Sequence, residues 1–238
     1  MPFVKFLKKK GFHITLVDPY MDSPCVALAD EFIQMDVKSI DLIYDVIKGE
    51  KFDYVLSDQT DVAVNSVAVL SNKLGLPSNS VLSTQLFSNK SESRNFVKRF
   101  AKEMSPGFKV VSSVDELTIF LEEFKDVIIK PTDSQSSRGI NRVKDKDDLE
   151  SYFNEAKNAS PTNSVIVEEF LIGEEITVEG ICLNSKHKTL TTSSKKHIKT
   201  GIASDLIYPS NIKTELLKKI YDFNDEYVEK SGLSSGIT

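Results

Sequence analysis

The chain has 238 residues, with 35 acidic against 30 basic side chains and a hydrophobic content of 40%. This length and composition support one large or two modest domains with real cores, and they argue against disorder. The mixed charge offers no basic surface of the kind that binds nucleic acid. No apolar run reaches the ~20 residues of a membrane span, so we expect a soluble, cytoplasmic protein.

The cysteines and histidines do not form a recognisable metal site. Cys25 and Cys182 lie far apart in the sequence, without the spacing of zinc ligands, which is typical of proteins from a reducing compartment. His13, His187 and His197 form no paired motif. The sequence therefore predicts no metal ligands among its own residues.

The first part of the chain alternates helical and extended patterns, which favours a parallel α/β layer. Helical spacing covers residues 2–10 and 39–48, and strands are predicted at residues 12–18 and 52–57. Asp18 ends the first strand, close to where a dinucleotide-binding fold uses a carboxylate to bind ribose. No GxGxxG motif precedes Asp18, so we interpret it as a turn residue.

Four helices are predicted in the rest of the chain. The first covers residues 88–104, and the second begins at a capping box formed by Ser113 and Glu116. A third helix is expected near residues 146–157, and an amphipathic helix covers residues 211–231.

A lysine ends an apolar strand in this second part. The run VIIKP places Lys130 at the strand end, and a polar loop, Thr132–Gly139, follows. A lysine held in this way meets phosphate oxygens without first losing much side-chain entropy, and the N–H groups of a glycine-containing loop bind the same phosphates. The loop lacks the GxxxxGK[ST] spacing of a Walker loop, which excludes the common NTPase design. Alone, Lys130 would be interpreted as a lysine that reaches solvent from a strand end.

Two acidic strands follow in the stretch VIVEEFLIGEEITVEG. Their carboxylates can accept hydrogen bonds from adenine and ribose, which present donors. In the second strand, the two-residue period places Glu175, Thr177 and Glu179 on one face. The alternative interpretation is a pair of solvated, charged edge strands.

In this order and spacing, VIIKP, the SSRG loop and EEFLIGEE resemble the ATP-grasp superfamily, the ligases that include biotin carboxylase and the carbamoyl phosphate synthase large chain. The resemblance implies an α/β fold, with a Rossmann-like pre-ATP-grasp domain followed by a two-lobed α+β ATP-grasp domain. The implied boundaries are 1–86, 87–164 and 165–238. By the same resemblance the chain is a fragment, which lacks the first Rossmann strand and ends before magnesium ligands expected beyond Thr238.

The resemblance also implies a set of ATP contacts. Lys90 and Lys130 would contact the phosphates, while Glu168 would receive the adenine amino group. Glu175 would accept hydrogen bonds from the ribose, and either Phe170 or Leu171 would pack on the base. The loop would add hydrogen-bond donors to the phosphates from Ser136, Ser137 and Gly139. The backbone that contacts the edge of the adenine ring would be that of Glu169 to Leu171.

The complete enzyme would use ATP and magnesium to activate a small-molecule carboxylate as an acylphosphate, for attack by an amine or related nucleophile. The resemblance also suggests a homodimer. This chain alone is expected to be inactive, because no residue resembles a general base. Two alternatives remain: a non-catalytic nucleotide-binding module and a plain α/β interaction protein. The roles of Arg138 and Glu179 stay open, each being either a site residue or a solvated side chain.

Overall fold

The computed structural model describes residues 1–58, 60–134, 137–199 and 202–238. Contacts divide the chain into two compact units, Met1–Thr84 and Gln85–Thr238. None of the helices in the described ranges has the length and apolar character that crossing a membrane requires.

The first unit holds a two-stranded parallel sheet, β1 and β2, in which Thr15 is aligned with Glu31. Helices α2 and α3 pack beside it around a small core that includes Ile43, Ile47 and Leu70. The elements are α1 (Pro2–Lys9), β1 (Thr15–Asp18), β2 (Glu31–Gln34), α2 (Ile40–Ile47), α3 (Val64–Leu74) and α4 (Val81–Ser88), the last of which continues into the second unit.

The predicted helices at 2–10 and 39–48 and the parallel strand pairing are confirmed, but the strand predicted at residues 52–57 is wrong. Residues 52–57 form no strand in the described structure; instead β2, which was not predicted, pairs with β1. Phe52 and Val55 pack against the small core, whereas Tyr54 and Leu56 are each 56% exposed. The two inward-packing side chains are three residues apart, so this segment lacks the two-residue period of a half-buried strand.

Asp18 is a turn residue, as predicted. Its carboxylate accepts a hydrogen bond from the N–H of Tyr20, with a nitrogen–oxygen distance of 2.8 Å. This contact, from a side chain to the backbone two residues ahead, is an Asx turn, which aspartate favours at the end of a strand.

The second unit contains two four-stranded antiparallel sheets and four further helices. The first sheet has the order β3–β6–β4–β5 and the second has the order β10–β7–β8–β9. The helices are α5 (Lys90–Phe100), α6 (Val114–Phe124), α7 (Leu149–Ala159) and α8 (Thr214–Lys230). The strands are β3 (Phe108–Val111), β4 (Val127–Pro131), β5 (Asn141–Val143), β6 (Val165–Glu169), β7 (Ile176–Leu183), β8 (Lys186–Lys199), β9 (Ile202–Ile207) and β10 (Gly236–Ile237).

The first sheet buries one face against α6 and α7. Val127, Ile129, Val165 and Val167 on this face are 0% exposed and pack with the apolar side chains of both helices. Because side chains alternate along a strand, the other residues of β4 and β6 point to the opposite face. These residues are Ile128, Lys130, Ile166 and Glu168.

The second sheet packs against α8. Cys182 on β7 is completely buried with Val228 of α8 and Leu233. On β8, the imidazole Nδ1 of His187 lies 2.7 Å from the carboxylate of Asp225 on α8. The two acidic strands, β6 and β7, are adjacent in sequence but lie in different sheets.

The predicted capping box at α6 forms in part. Ser113 Oγ accepts a hydrogen bond from the N–H of Glu116 at 3.3 Å, as expected. The Glu116 carboxylate, however, accepts from the N–H and hydroxyl of Ser112, at 2.8 and 2.9 Å, and not from Ser113. These hydrogen bonds and the nearby Lys109 lower the pKa of Glu116 to about 2.

Candidate functional site

A cluster of charged side chains lies on the face of the first sheet opposite α6 and α7. Lys130 Nζ lies 2.7 Å from Glu168 Oε2, and Nη2 of Arg94 lies 3.1 Å from the same oxygen. Lys130 pairs across the ladder with Ile166, the residue two positions before Glu168, so the two charged side chains are diagonal neighbours on one face. Arg94 reaches them from α5. The strand register and one helix therefore assemble the cluster.

The cluster is partly buried and carries net positive charge. The Glu168 side chain is 4% exposed and that of Lys130 is 12% exposed. Burial lowers the pKa of Lys130, although Glu168 acts to raise it. Burial, followed by the charge of Lys130, also lowers the pKa of Lys90. Three cationic side chains around one carboxylate form a site that favours an anion.

Lys90 ties the start of α5 to the loop that follows Lys130. Asn89 caps the helix, accepting from the N–H of Ser91 at 2.9 Å, and the Lys90 N–H donates to the carbonyl of Thr132 at 2.8 Å. The Lys90 ammonium donates to the carbonyl of Ser134, also at 2.8 Å. The helix cap thus places this lysine beside the loop and near Lys130.

Three buried polar atoms of this region have no hydrogen-bond partner among the described residues. They are Oε1 of Glu168, Nε of Arg94 and Oγ1 of Thr132. Buried polar groups are usually paired, because leaving them unpaired costs free energy. Of these atoms, Oε1 of Glu168 provides a buried acceptor for a polar ligand, and Oγ1 of Thr132 provides a hydroxyl.

The loop after Lys130 is described in part. Ser136 lies outside the described residues, and Ser137 adopts a positive φ of 55°. Gly139 is buried with a φ of 66°, and a Cβ there would lie 2.9 Å from Ala159 Cβ and 3.0 Å from Ala156 Cα on α7. Gly139 is therefore required by its backbone conformation and by close packing on α7. Arg138 is exposed.

The segment that follows Glu168 is anchored by backbone and side-chain contacts. Glu169 donates its N–H to the carbonyl of Gly107 at 2.8 Å, and its carboxylate accepts from the Gly107 N–H at 3.2 Å. The N–H of Phe170 donates to the carbonyl of Asp126 at 2.9 Å. These contacts hold the chain at the end of β6.

Phe170 and Leu171 differ in how accessible they are. The guanidinium of Arg142 lies 3.6 Å from the centre of the Phe170 ring, and two hydrogen bonds of 2.8 and 2.6 Å join Arg142 to Asp126. One face of the Phe170 ring is therefore covered, whereas Leu171 is 62% exposed. Of the two apolar side chains expected to pack on a base, Leu171 is the more accessible.

Glu175 lies apart from the cluster, beside the second sheet. Its carboxylate pairs with Lys195 at 3.0 Å and with His197 at 3.3 Å, both on β8, and its side chain is 54% exposed. Glu179 accepts a hydrogen bond from the hydroxyl of Tyr208. Among the described contacts, none joins Glu175 to the charge cluster of the first sheet.

Arg94 is a residue of the cluster that was not predicted from the sequence. Lys90 and Arg94 are one turn apart on the same side of α5, and residues at this spacing share a helix face. That spacing was the available signal, since a second cation on the face of Lys90 would point to the same site. Thr132 carried no comparable signal.

The described residues contain no group of three or more His, Cys, Asp or Glu side chains that could hold a metal ion.

Comparison with known proteins identifies similar sequences and folds. Residues 123–238 match the family model of the ATP-grasp domain. A formate-dependent phosphoribosylglycinamide formyltransferase from Wolinella succinogenes is 26% identical over 231 residues, which cover 94% of this chain and 59% of that protein. The chain thus spans about three fifths of the length of this relative.

Solved structures with a similar fold include two nucleotide complexes. The biotin carboxylase domain of the Hydrogenobacter thermophilus 2-oxoglutarate carboxylase, a dimer with MgADP, ADP and bicarbonate, has a TM-score of 0.80 and 16% identity, covering 99% of this chain and 57% of that chain. The N5-carboxyaminoimidazole synthetase from Staphylococcus aureus, complexed with ADP, has a TM-score of 0.78 and 19% identity, covering 99% and 61%. At these identities the likeness shows the fold alone.

Proposed function

We propose that the chain is the ATP-binding part of an ATP-dependent ligase, because residues 123–238 match the family model of the ATP-grasp domain. The single observation that carries the proposal is the partly buried, net positive cluster of Lys90, Arg94, Lys130 and Glu168. A triphosphate supplies the negative charge that such a cluster lacks.

The phosphates would bind Lys90 and Lys130. Both ammonium groups are partly buried and both have lowered pKa values, so an anionic partner would stabilise their charged forms. Ser136, Ser137 and Gly139 would add loop donors, and the buried hydroxyl of Thr132 lies at the start of the same loop. Magnesium, when bound with the nucleotide, would neutralise part of the phosphate charge.

The base and ribose would be bound by the two acidic positions. Oε1 of Glu168, a buried acceptor, would receive the adenine amino group. The backbone of Glu169 to Leu171 would read the ring edge, and we favour Leu171 for packing on the base because it is exposed. Glu175 would accept from the ribose hydroxyls after exchanging its exposed contacts with Lys195 and His197.

The reaction of the complete enzyme would be activation of a small carboxylate as an acylphosphate, followed by attack of an amine or related nucleophile. The names of similar proteins refer to formate, bicarbonate and carboxyaminoimidazole, all compatible with a small carboxylate or its equivalent. Lys90 and Lys130 would stabilise the negative charge of the transferring phosphoryl group. A homodimer stays a prediction.

The fold is the mixed α/β fold of ATP-grasp proteins, and we propose a finer division of it. A Rossmann-like domain at 1–86 would precede two ATP-grasp lobes. The expected boundary after residue 164 would cut through the first sheet, because β6 pairs with both β3 and β4. We therefore propose that the first lobe extends to Glu169.

The test is a calorimetric titration of MgATP into the purified chain. We expect saturable binding, weakened at least about tenfold by Lys130→Met, which removes a charged contact of roughly 1.5 kcal/mol or more, and weakened to a smaller degree by Glu175→Gln. The matched control is Lys188→Met, since Lys188 is an exposed lysine on β8. No binding by the folded wild type, or equal loss with Lys188→Met, would contradict the proposal.

A further inference from the structure

We propose that Arg94 is a positioning residue that keeps Glu168 paired and correctly aimed while Lys130 binds phosphate. This inference rests on the proposed function, in which Lys130 contacts the nucleotide phosphates. Arg94 itself would touch neither the phosphates nor the base.

Lys130 and Arg94 share one oxygen of the same carboxylate. Oε2 of Glu168 lies 2.7 Å from the ammonium of Lys130 and 3.1 Å from Nη2 of Arg94. An ammonium that turns toward phosphate oxygens weakens its contact with Glu168. If a buried carboxylate loses its only counter-ion, its charge is uncompensated, and the folded protein is strongly destabilised. The second cation removes this conflict, since Glu168 stays paired when Lys130 moves.

Arg94 is suited to this role by its position and chemistry. It comes from α5, whereas Lys130 comes from β4, so a shift of the lysine side chain need not disturb the arginine. Arginine remains charged in proteins and offers five donors in a rigid, planar arrangement. Nε of Arg94 is buried without a partner among the described residues, so the guanidinium retains an unused donor close to Glu168.

The same contact determines which atom of Glu168 is left for the ligand. Both cations bind Oε2, and Oε1 is buried without a partner in the described structure. An ionised carboxylate oxygen accepts hydrogen bonds but cannot donate one. It therefore favours the amino group of adenine over the oxo group of hypoxanthine at the same ring position. Arg94 would thus support selectivity for ATP over inosine triphosphate without touching the base.

The first experiment measures the Kd values of ATP and inosine triphosphate for the full chain and its variants. We expect Arg94→Gln to weaken ATP binding about 10- to 100-fold, the range that corresponds to loss of a charged hydrogen bond, and to weaken inosine triphosphate binding much less. Arg94→Lys should keep most of the selectivity, because it keeps the charge. Arg99→Gln is the matched control, since Arg99 is exposed on the same helix.

A double variant tests whether Arg94 acts through Glu168. In the Glu168→Gln background, Arg94→Gln should change ATP affinity by less than about threefold, because residues that act through one contact are not additive. The inference is wrong if the two substitutions are additive, or if Arg94→Gln weakens both nucleotides equally. In either case wild-type binding of ATP would leave the proposed function intact.

The second readout needs no nucleotide. Lys130→Met and Arg94→Gln each leave one hydrogen-bonded cation on Glu168, but the double variant leaves none. The urea midpoint of the double variant should therefore fall by more than the sum of the two single shifts. Additive shifts would overturn the counter-ion role of Arg94, whether or not the wild type binds ATP. Absence of ATP binding by the wild type would separately reject the proposed function.

Discussion

Glu168 and Glu175 lie close together in the sequence, and each carboxylate contacts two basic side chains. Glu168 is on β6 of the first sheet, is 4% exposed and binds Lys130 and Arg94. Glu175 precedes β7 of the second sheet, is 54% exposed and binds Lys195 and His197. Exposed ion pairs contribute little because solvent screens them, whereas removing one partner of a buried pair leaves an uncompensated charge. Burial therefore gives the same kind of contact different consequences at the two positions.

The difference also bears on ligand binding. A carboxylate in an exposed pair can exchange its partners for ribose hydroxyls at small cost, so Glu175 is adaptable. Glu168 is itself buried and is held by two cations, so its orientation is set before a ligand arrives. A carboxylate that is already oriented as a hydrogen-bond acceptor favours selectivity for a ligand with a matching donor, because the side chain need not become ordered on binding.

The largest expected effect is on stability. Glu168→Ala would leave Lys130 and Arg94 without their carboxylate, and we expect the free energy of unfolding to fall by about 3 kcal/mol or more. Glu175→Ala is the matched control, and its effect should stay within about 0.5 kcal/mol, as for other exposed positions. Urea denaturation of both variants measures the difference. Similar shifts would show that burial does not distinguish the two glutamates.

A pair of glycines extends the comparison to the backbone. Gly139 has a φ of 66° and no room for a Cβ beside α7, so Gly139→Ala should destabilise the chain by about 2 kcal/mol. Gly173 lies in the exposed segment between β6 and β7 and has open space around its Cα. Gly173→Ala should therefore leave the melting temperature almost unchanged. Equal melting temperatures for the two variants would contradict the packing argument at Gly139.

The smallest effect concerns Glu116, a half-buried carboxylate with well-formed hydrogen bonds. Its pKa in the folded chain is lowered to about 2 from an ordinary value of 4.5, first by the N–H of Ser112. A carboxylate whose pKa is lower in the folded chain than in the unfolded chain stabilises the protein at pH values above its unfolded-state pKa. This stabilisation is lost as the pH falls from about 4.5 toward 2. Urea midpoints measured across this range should fall less steeply in Glu116→Gln than in the wild type. Parallel pH profiles would show that Glu116 does not contribute.

The sequence by itself determined the elements that carry strong local patterns. The continuous apolar runs before Lys130 and Glu168 predicted β4 and β6, and the spacing of apolar residues predicted α8. The order of these motifs also predicted the resemblance to ATP-grasp proteins, and the family model of the ATP-grasp domain matches residues 123–238. Such features are accessible because the period of a buried strand or an amphipathic helix is written in neighbouring residues.

The tertiary structure alone decided which distant residues meet. The strand beside β1 is β2 and not the strand expected at residues 52–57, and β6 and β7 lie in different sheets. It also brought Arg94 to Glu168 and packed Gly139 against α7. In each case the deciding contact joins residues far apart in the chain. Sheet pairing, burial and close packing depend on such contacts, and the periodicity of a single segment does not encode them.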